Sequence, residues 1–373
     1  MSEARLPSDV QDPLPALLTV DHGRGPSAFA QFRLSMAEVC EMVAPDGQED
    51  FRAWSRAFNL SGAVLTEVVA SSLHYRRTAR NVARSGYDHY QINFALFGQC
   101  RIRVGQQSML LRRGEIGILD CLCASDFEVH ATQGRLAHTL TLFVPRAALA
   151  PLLASPDAAR CARMRPGTSA VRLLKSHLVR LLRQAYTMTA AQRDSAAPTL
   201  IGLVAEALNA PCEGAAKPTP RASSAASIKC HIERHLHSPA LSVKALAIHF
   251  GTSRASLYRL FDTEGGLRNY IQQRRLLYAF SWLLSVERTP RRILDLALDC
   301  RFASDATFNR AFRREFGLPP GEARDLARMA RNRLDPAPPQ SEWSKTVHWI
   351  QALGMRRAEG IQDAAASVLR REP

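Results

Sequence analysis

Two kinds of periodicity divide the chain. Between about residues 87 and 144, short runs of β-type composition at 90–97, 101–104, 117–120 and 138–144 are separated by turns at Gly98, Gly105, Gly114 and Gly134. Regular short strands with glycine turns predict a small antiparallel barrel or sandwich. The period then changes. Leu173, Leu174, His177, Leu178, Leu181 and Leu182 recur at helical spacing, and Leu200, Leu203, Val204 and Leu208 form a second stripe beyond Pro198. A helix pair interrupted at Pro198 is expected, packed on the barrel or against a second copy of the chain, with His177 a packed histidine.

Residues 210–224 are rich in Pro, Ala, Ser and Gly and carry no apolar period, so a linker is placed at 211–227. Beyond it lies an imperfect repeat: residues 246–261 align with 296–312, offset by 50 before the turn (Ala247 to Ala297) and 51 after it (Ser253 to Ser304). Each copy reads as a short helix, a tight turn, a serine N-cap and a second helix with apolar residues at i, i+3 or i+4. In the first copy Leu257, Leu260 and Phe261 define the inward stripe; in the second, Phe308, Ala311, Phe312 and Phe316 do. The outward faces fit a major groove, where arginine pairs with guanine, asparagine with adenine, and Thr or Ala with a thymine methyl. Between the copies, residues 270–284 read as one long helix that fixes the separation of the two heads; Arg274 and Arg275 are expected on an exposed, salt-bridged face.

The second copy ends in Ala297, Phe302, Ala303, Ser304, then Phe308, Asn309, Arg310, Ala311, Phe312, Arg313, Arg314, Glu315, Phe316, Gly317, Leu318, Pro319, Pro320. This run resembles the signature of the paired helix-turn-helix domain of the AraC/XylS family of bacterial transcription regulators, over about residues 228–328. Residues 84–90 and the glycine-punctuated strands after them resemble the cupin-like ligand-binding domain of one branch of that family.

The resemblance implies a multidomain α and β chain: an N-terminal cupin-like antiparallel β-barrel with helices, and a C-terminal all-α double helix-turn-helix domain. The expected division is an N-terminal segment (1–50), a sensor domain (51–210) with a helical dimerisation region (171–209), the linker (211–227), the DNA-binding domain (228–328) and a tail (329–373). The implied function is a sequence-specific DNA-binding regulator, an activator by the commoner family behaviour, that answers to a small-molecule effector. The implied partners are a double-stranded DNA operator, RNA polymerase and a second copy of the chain in a homodimer. DNA contacts are expected from Ser253, Arg254, Ser256, Tyr258, Arg259, Ser304, Asp305, Thr307, Asn309, Arg310 and Arg313. Arg259 and Arg310, at equivalent outward positions, are the foremost candidates for base contacts.

Two residues depart from the family pattern. Arg301 stands where glycine is usual in the second turn, at a cost of about 1 kcal/mol if the backbone there is left-handed. Ala323 replaces a common aromatic residue, leaving a packing gap that the tail is expected to fill.

Composition narrows the alternatives. The 373 residues carry 49 Lys and Arg against 34 Asp and Glu, a net charge of +15 that suits a polyanion partner. Residues 228–328 hold 17 basic and 10 acidic side chains, so about half the excess lies outside the DNA-binding domain. The eight cysteines include no CxxC pair, which fits a reduced cytoplasmic setting; Cys121 and Cys123 are expected to pack on one strand face. No leader or membrane span is legible, so no membrane partner is expected. His74, His89, His130 and His138 occur singly and lack the His-x-His pattern of metal cupins, so neither a metal site nor enzymatic activity is expected. No cofactor is implied beyond the effector. Arg76, Arg77, Arg80 and Arg84 are read as a solvated loop, with an anionic ligand as the alternative. The rival functions are a ligand-independent regulator whose barrel only dimerises, and a metal-cupin enzyme fused to a DNA-binding domain.

Overall fold

The computed structural model describes residues 17–154, 159–184, 187–209, 220–284, 292–332, 345–350 and 352–353. The chain opens with β1 (Leu17–Arg24), α1 (Gly25–Met36), β2 (Glu41–Val43), β3 (Arg52–Asn59), β4 (Val64–Ala70) and β5 (Leu73–Arg77). A short helix, α2 (Ala79–Ser85), precedes β6 (His89–Phe97), β7 (Gln99–Val104), β8 (Gln107–Leu111), β9 (Ile116–Asp120), β10 (Ser125–His130) and β11 (Ala137–Pro145). Then come α3 (Arg146–Leu149), β12 (Cys161–Arg163), α4 (Ser169–Gln184) and α5 (Ala190–Asn209).

These strands form two antiparallel sheets, one of seven strands in the order β1-β3-β4-β11-β6-β9-β12 and one of five in the order β2-β5-β10-β7-β8. Five strands therefore precede residue 87, where the sequence shows β-type runs only after it. Within the first 50 residues, β1 pairs with β3 and β2 with β5, so this stretch is built into both sheets.

Strand β11 shows how the layers are made. Its side chains alternate: Leu140, Leu142 and Val144 join the apolar cluster that includes Leu174, Leu178, Leu200 and Val204 of α4 and α5, whereas Thr139, Thr141 and Phe143 line a cavity on the other face. The helix pair thus packs on the large sheet. Leu174, Leu178 and Leu181 are buried as the stripe predicts, but Leu173 points outward. Helix α5 runs through Pro198 instead of breaking there. Its neighbours Ala196, Ala197, Leu200 and Ile201 are all buried in the same cluster, and that packing outweighs a local penalty of about 3 kcal/mol.

The second half comprises α6 (Pro220–Arg234), α7 (Val243–His249), α8 (Arg254–Leu260), α9 (Leu267–Leu284), α10 (Ile293–Asp299), α11 (Asp305–Phe316) and α12 (Pro320–Asn332). Helix α6 starts inside the stretch read as linker; residues 210–219 of that stretch lie outside the described residues. The first head, α6 to α8 with the start of α9, has its own core of Ile228, Ile232, Leu246, Leu257, Phe261 and Tyr270. The second head, α10 to α12 with the end of α9, shares a core with the sensor half: Phe280, Phe308 and Phe312 cluster with Ala79, Val82, Ala83 and Leu122. Ala323 and Ala327 of α12 belong to that cluster too, so among the described residues the gap at Ala323 is met by α2 and not by the tail. Small residues on both helices permit the close approach.

Candidate nucleic-acid interface and sensor pocket

A groove of about 810 Å³ runs between the two heads. Among the described residues its lining carries seven cations, Lys244, Arg254, Arg268, Arg275, Arg301, Arg310 and Arg314, and no carboxylate. Helices α8 and α11 form its sides and α9 contributes Arg268, Ile271, Gln272 and Arg275. Five of the cations, Lys244, Arg268, Arg275, Arg301 and Arg314, were not among the sequence candidates. Only Arg314 carried a usable signal, since it follows Arg310 by one helical turn.

The two helices turn different flanks to the groove. From α8 come Arg254 and Tyr258, and from α11 come Thr307, Arg310, Ala311 and Arg314. At roughly 100° per residue, those sets lie about half a turn apart on equivalent helices, as expected when one head is generated from the other by translation. The edge away from both buried stripes then points the same way from each head. It carries Ala255 and Arg259 on α8, and Ala306, Arg310 and Arg313 on α11.

Most of the candidate residues fall into three groups. Arg254, Tyr258, Thr307 and Arg310 line the groove. Arg259 and Arg313 are exposed outside it, with Arg259 donating to the Ser256 hydroxyl at 3.3 Å. Ser253 and Ser304 are caps: their hydroxyls accept from the backbone N–H of Ser256 (3.0 Å) and Thr307 (3.3 Å). In α11, Thr307 answers to the Ser304 N–H and completes a capping box. Asp305 begins α11 on its exposed side, and Asn309 donates to the Asp305 carbonyl at 2.9 Å. Arg274 and Arg275 are not an exposed face: Arg274 is ion-paired with Glu233, and Arg275 donates to the Leu236 carbonyl at 3.0 Å.

The turns agree in backbone conformation despite their different residues, with φ of 57° at Gly251 and 61° at Arg301. Arg301 therefore accepts the left-handed cost, and its Nε donates to the His237 carbonyl at 2.7 Å, joining the second head to the first.

The cavity behind β11 measures about 110 Å³. Its walls come from α1 (Phe32, Met36), β4 (Thr66, Val68), β5 (Tyr75, Arg77), β10 (Phe127, Val129) and β11, with Thr346, Val347 and Ile350 closing one side. Thr141 donates to Asn93 at 3.1 Å, and Gln91 also donates to Asn93 at 3.0 Å, which fixes the polar part of the wall. Cys40 and Cys121 line it as neutral thiols, pushed up to about 12 by burial. Cys121 and Cys123 lie in the turn after β9 and not on a strand, and both are buried.

The four arginines read as one loop separate. Arg77 is buried in the cavity wall; Arg76 reaches Asp126, Arg80 pairs with Glu322 of α12 at 2.5 Å, and Arg84 donates to the Ala37 carbonyl at 2.6 Å. The histidines also stand apart: His74 meets Asp126 at 3.0 Å, His130 meets Glu128 at 3.3 Å and His138 meets Glu67 at 2.7 Å. His89 is fully buried with no hydrogen-bond partner, and burial lowers it to about 3. Among the described residues no cluster of three or more His, Cys, Asp or Glu could hold a metal ion, and no helix is long and apolar enough to cross a membrane.

A polar joint connects the cavity domain to α9. Arg146 binds Asp88, Asp120 and the Tyr90 hydroxyl; although burial works against its charge, the two carboxylates hold it protonated. The Ser281 hydroxyl of α9 donates to the other oxygen of Asp88 at 3.2 Å.

Two capped heads on a common basic groove, attached to a β-barrel with an internal cavity, define a transcription regulator that binds DNA. Residues 246–325 match the sequence signature described as a helix-turn-helix domain, and residues 33–209 match that of an AraC-binding-like domain. The chain is 39% identical over 95 residues to the regulatory protein SoxS of Salmonella typhimurium, covering 25% of this chain and 85% of that protein. It is 36% identical over 80 residues to the virulence regulon transcriptional activator VirF of Yersinia enterocolitica, covering 21% and 28%. Among solved structures, the AraC-like transcriptional activator CuxR overlays with a TM-score of 0.47 at 21% identity, covering 71% of this chain and 95% of that one. The chain belongs to the AraC/XylS family.

Proposed function

We propose that the protein is an effector-responsive activator that works in the cytoplasm as a homodimer, with no catalytic activity of its own. The observation that carries the DNA half is the groove between α8 and α11, whose described lining carries seven cations and no carboxylate. Phosphates neutralise such a lining, and base edges meet the residues on the outward edge. Arg259 and Arg310 read bases there, while Ser253, Arg254, Ser256, Tyr258, Ser304, Asp305, Thr307, Asn309 and Arg313 position the backbone or shape the helix ends. Heads repeated by translation enter successive major-groove segments on one side of the duplex, about one helical turn apart. The effector acts from the barrel cavity, and only as far as it favours one conformation. The exposed side of α4 and α5 is the dimer surface, and contact with RNA polymerase completes activation, the behaviour named for VirF.

Duplexes selected from random sequence by the full chain supply an operator for the test. Arg259→Ala and Arg310→Ala should each weaken that operator by about 1–3 kcal/mol and relax preference at one base position, with the fold unchanged by circular dichroism. If neither substitution changes operator affinity, the outward edge is misassigned.

A further inference from the structure

One wall of the sensor cavity is not made by the barrel. Thr346, Val347 and Ile350 follow the DNA-binding domain in sequence, yet they line the cavity, with Trp349 and Leu353 buried beside them. The Tyr87 hydroxyl donates to the Val347 carbonyl at 3.4 Å and so helps hold this segment in place. Thr346 is fully buried, and its hydroxyl, in the cavity wall, has no hydrogen-bond partner.

Arg77 is the one charged side chain among the lining residues. It donates to the Val39 carbonyl (2.7 Å), the Ser85 hydroxyl (2.8 Å) and the Cys121 carbonyl (3.4 Å), and its guanidinium lies 5.3 Å from the centre of the Tyr87 ring. All of these partners are neutral, and among the described residues no carboxylate is ion-paired with it. A guanidinium has five N–H groups, so donors remain, and a buried cation without a counter-charge is unfavourable until an anion arrives. The other walls, Phe32, Met36, Val68, Phe127 and Phe143, are apolar. An apolar cavity on the order of 150 Å³ holds benzene; at about 110 Å³ this one is smaller and takes a short chain while the segment is docked.

We propose that the cavity binds a small, largely apolar carboxylate, its head met by Arg77 and Thr346, and that residues 345–350 are the lid that completes the site. This rests on reading the barrel as the effector domain. A neutral ligand would leave Arg77 without a counter-charge, and a larger acid would have to displace the lid. Because the lid is joined to α12 through residues 333–344, occupancy of the cavity is tied covalently to the DNA-binding half.

The test titrates the full chain with propionate and butyrate, each against its neutral counterpart, 1-propanol and 1-butanol, by calorimetry and thermal melting. The acids should bind at least roughly tenfold more tightly and raise Tm. Thr346→Val, which removes only the hydroxyl, should weaken the acids by about three- to tenfold, and shortening the chain to residues 1–340 by roughly tenfold or more. Arg77→Met should make acids and alcohols equal; if that variant does not fold, the lid variants carry the decision. Alcohols binding as tightly as acids, undiminished affinity in the shortened chain, or no binding by any of the four probes each overturns the proposal. In the last case, recovery of a tightly bound duplex by the full chain leaves the regulator reading standing, whereas failure of the full chain to enrich any duplex sinks that reading instead.

Discussion

The two helix-turn-helix heads descend from one pattern but are held in the molecule differently. The first has a seven-residue helix α8, a simple serine cap and a core that contains no residue of the sensor half. The second has a twelve-residue helix α11 with a capping box and a left-handed Gly317 at its end, and its core continues into α2 of the sensor half. One head is therefore a satellite carried on α9, and the other is part of the sensor's own core. A change at the barrel reaches the second head through packing, and reaches the first through α9 and the His237 contacts with Asp299 and Arg301.

Phe261 and Phe312 are equivalent, fully buried residues, one in each core. Replacing either with Ala should cost about 3–5 kcal/mol locally. Hydrogen exchange resolved by segment separates them: Phe312→Ala should speed exchange in α2 as well as α11, whereas Phe261→Ala should leave α2 protected. Equal behaviour of α2 in both variants would erase the distinction between satellite and core.

Acid should act first on the sensor side of the joint. His89 falls from 6.5 to about 3 in the folded chain, so below pH 6.5 the unfolded state takes up a proton that the folded state refuses, and stability drops as pH falls. From pH 6.5 to 5 the loss is about 2 kcal/mol. Urea titrations across that window should show it, and His89→Leu should flatten the slope. His231 of the first head is lowered as well, by burial first and then by its neighbours His235 and His249.

The smallest effect concerns the turn. Arg301→Gly removes a left-handed cost of about 1 kcal/mol but also the bond to His237, so net stability should change by less than about 1 kcal/mol. Operator binding should show whether that bond matters for holding the heads in register.

The heads were legible because their signal is local: a cap, a turn and a stripe recur at a fixed offset, and Ser253, Ser304, Leu257 and Phe308 take up the roles that spacing assigns. Strand β4 was not, because it is buried along nearly its whole length and shows no alternation. Arg77 read as surface because charge ordinarily stays in water, and only the fold supplies the neutral acceptors that bury it. Pro198 read as a break because its penalty is local while the packing that overrides it is not. The place of Trp349 was not legible either, since only the fold shows it buried against the barrel.

The contact of α2 with α12 bears on how freely such proteins exchange parts. Ala79 and Ala83 on one helix, and Ala323 and Ala327 on the other, are matched small faces closed by the Arg80–Glu322 pair. A chimera joining this sensor at residue 227 to a DNA-binding domain with an aromatic residue at the place of Ala323 would force the helices apart. Here the unit that can be transplanted is larger than the domain boundary suggests, because α2 must travel with the second head.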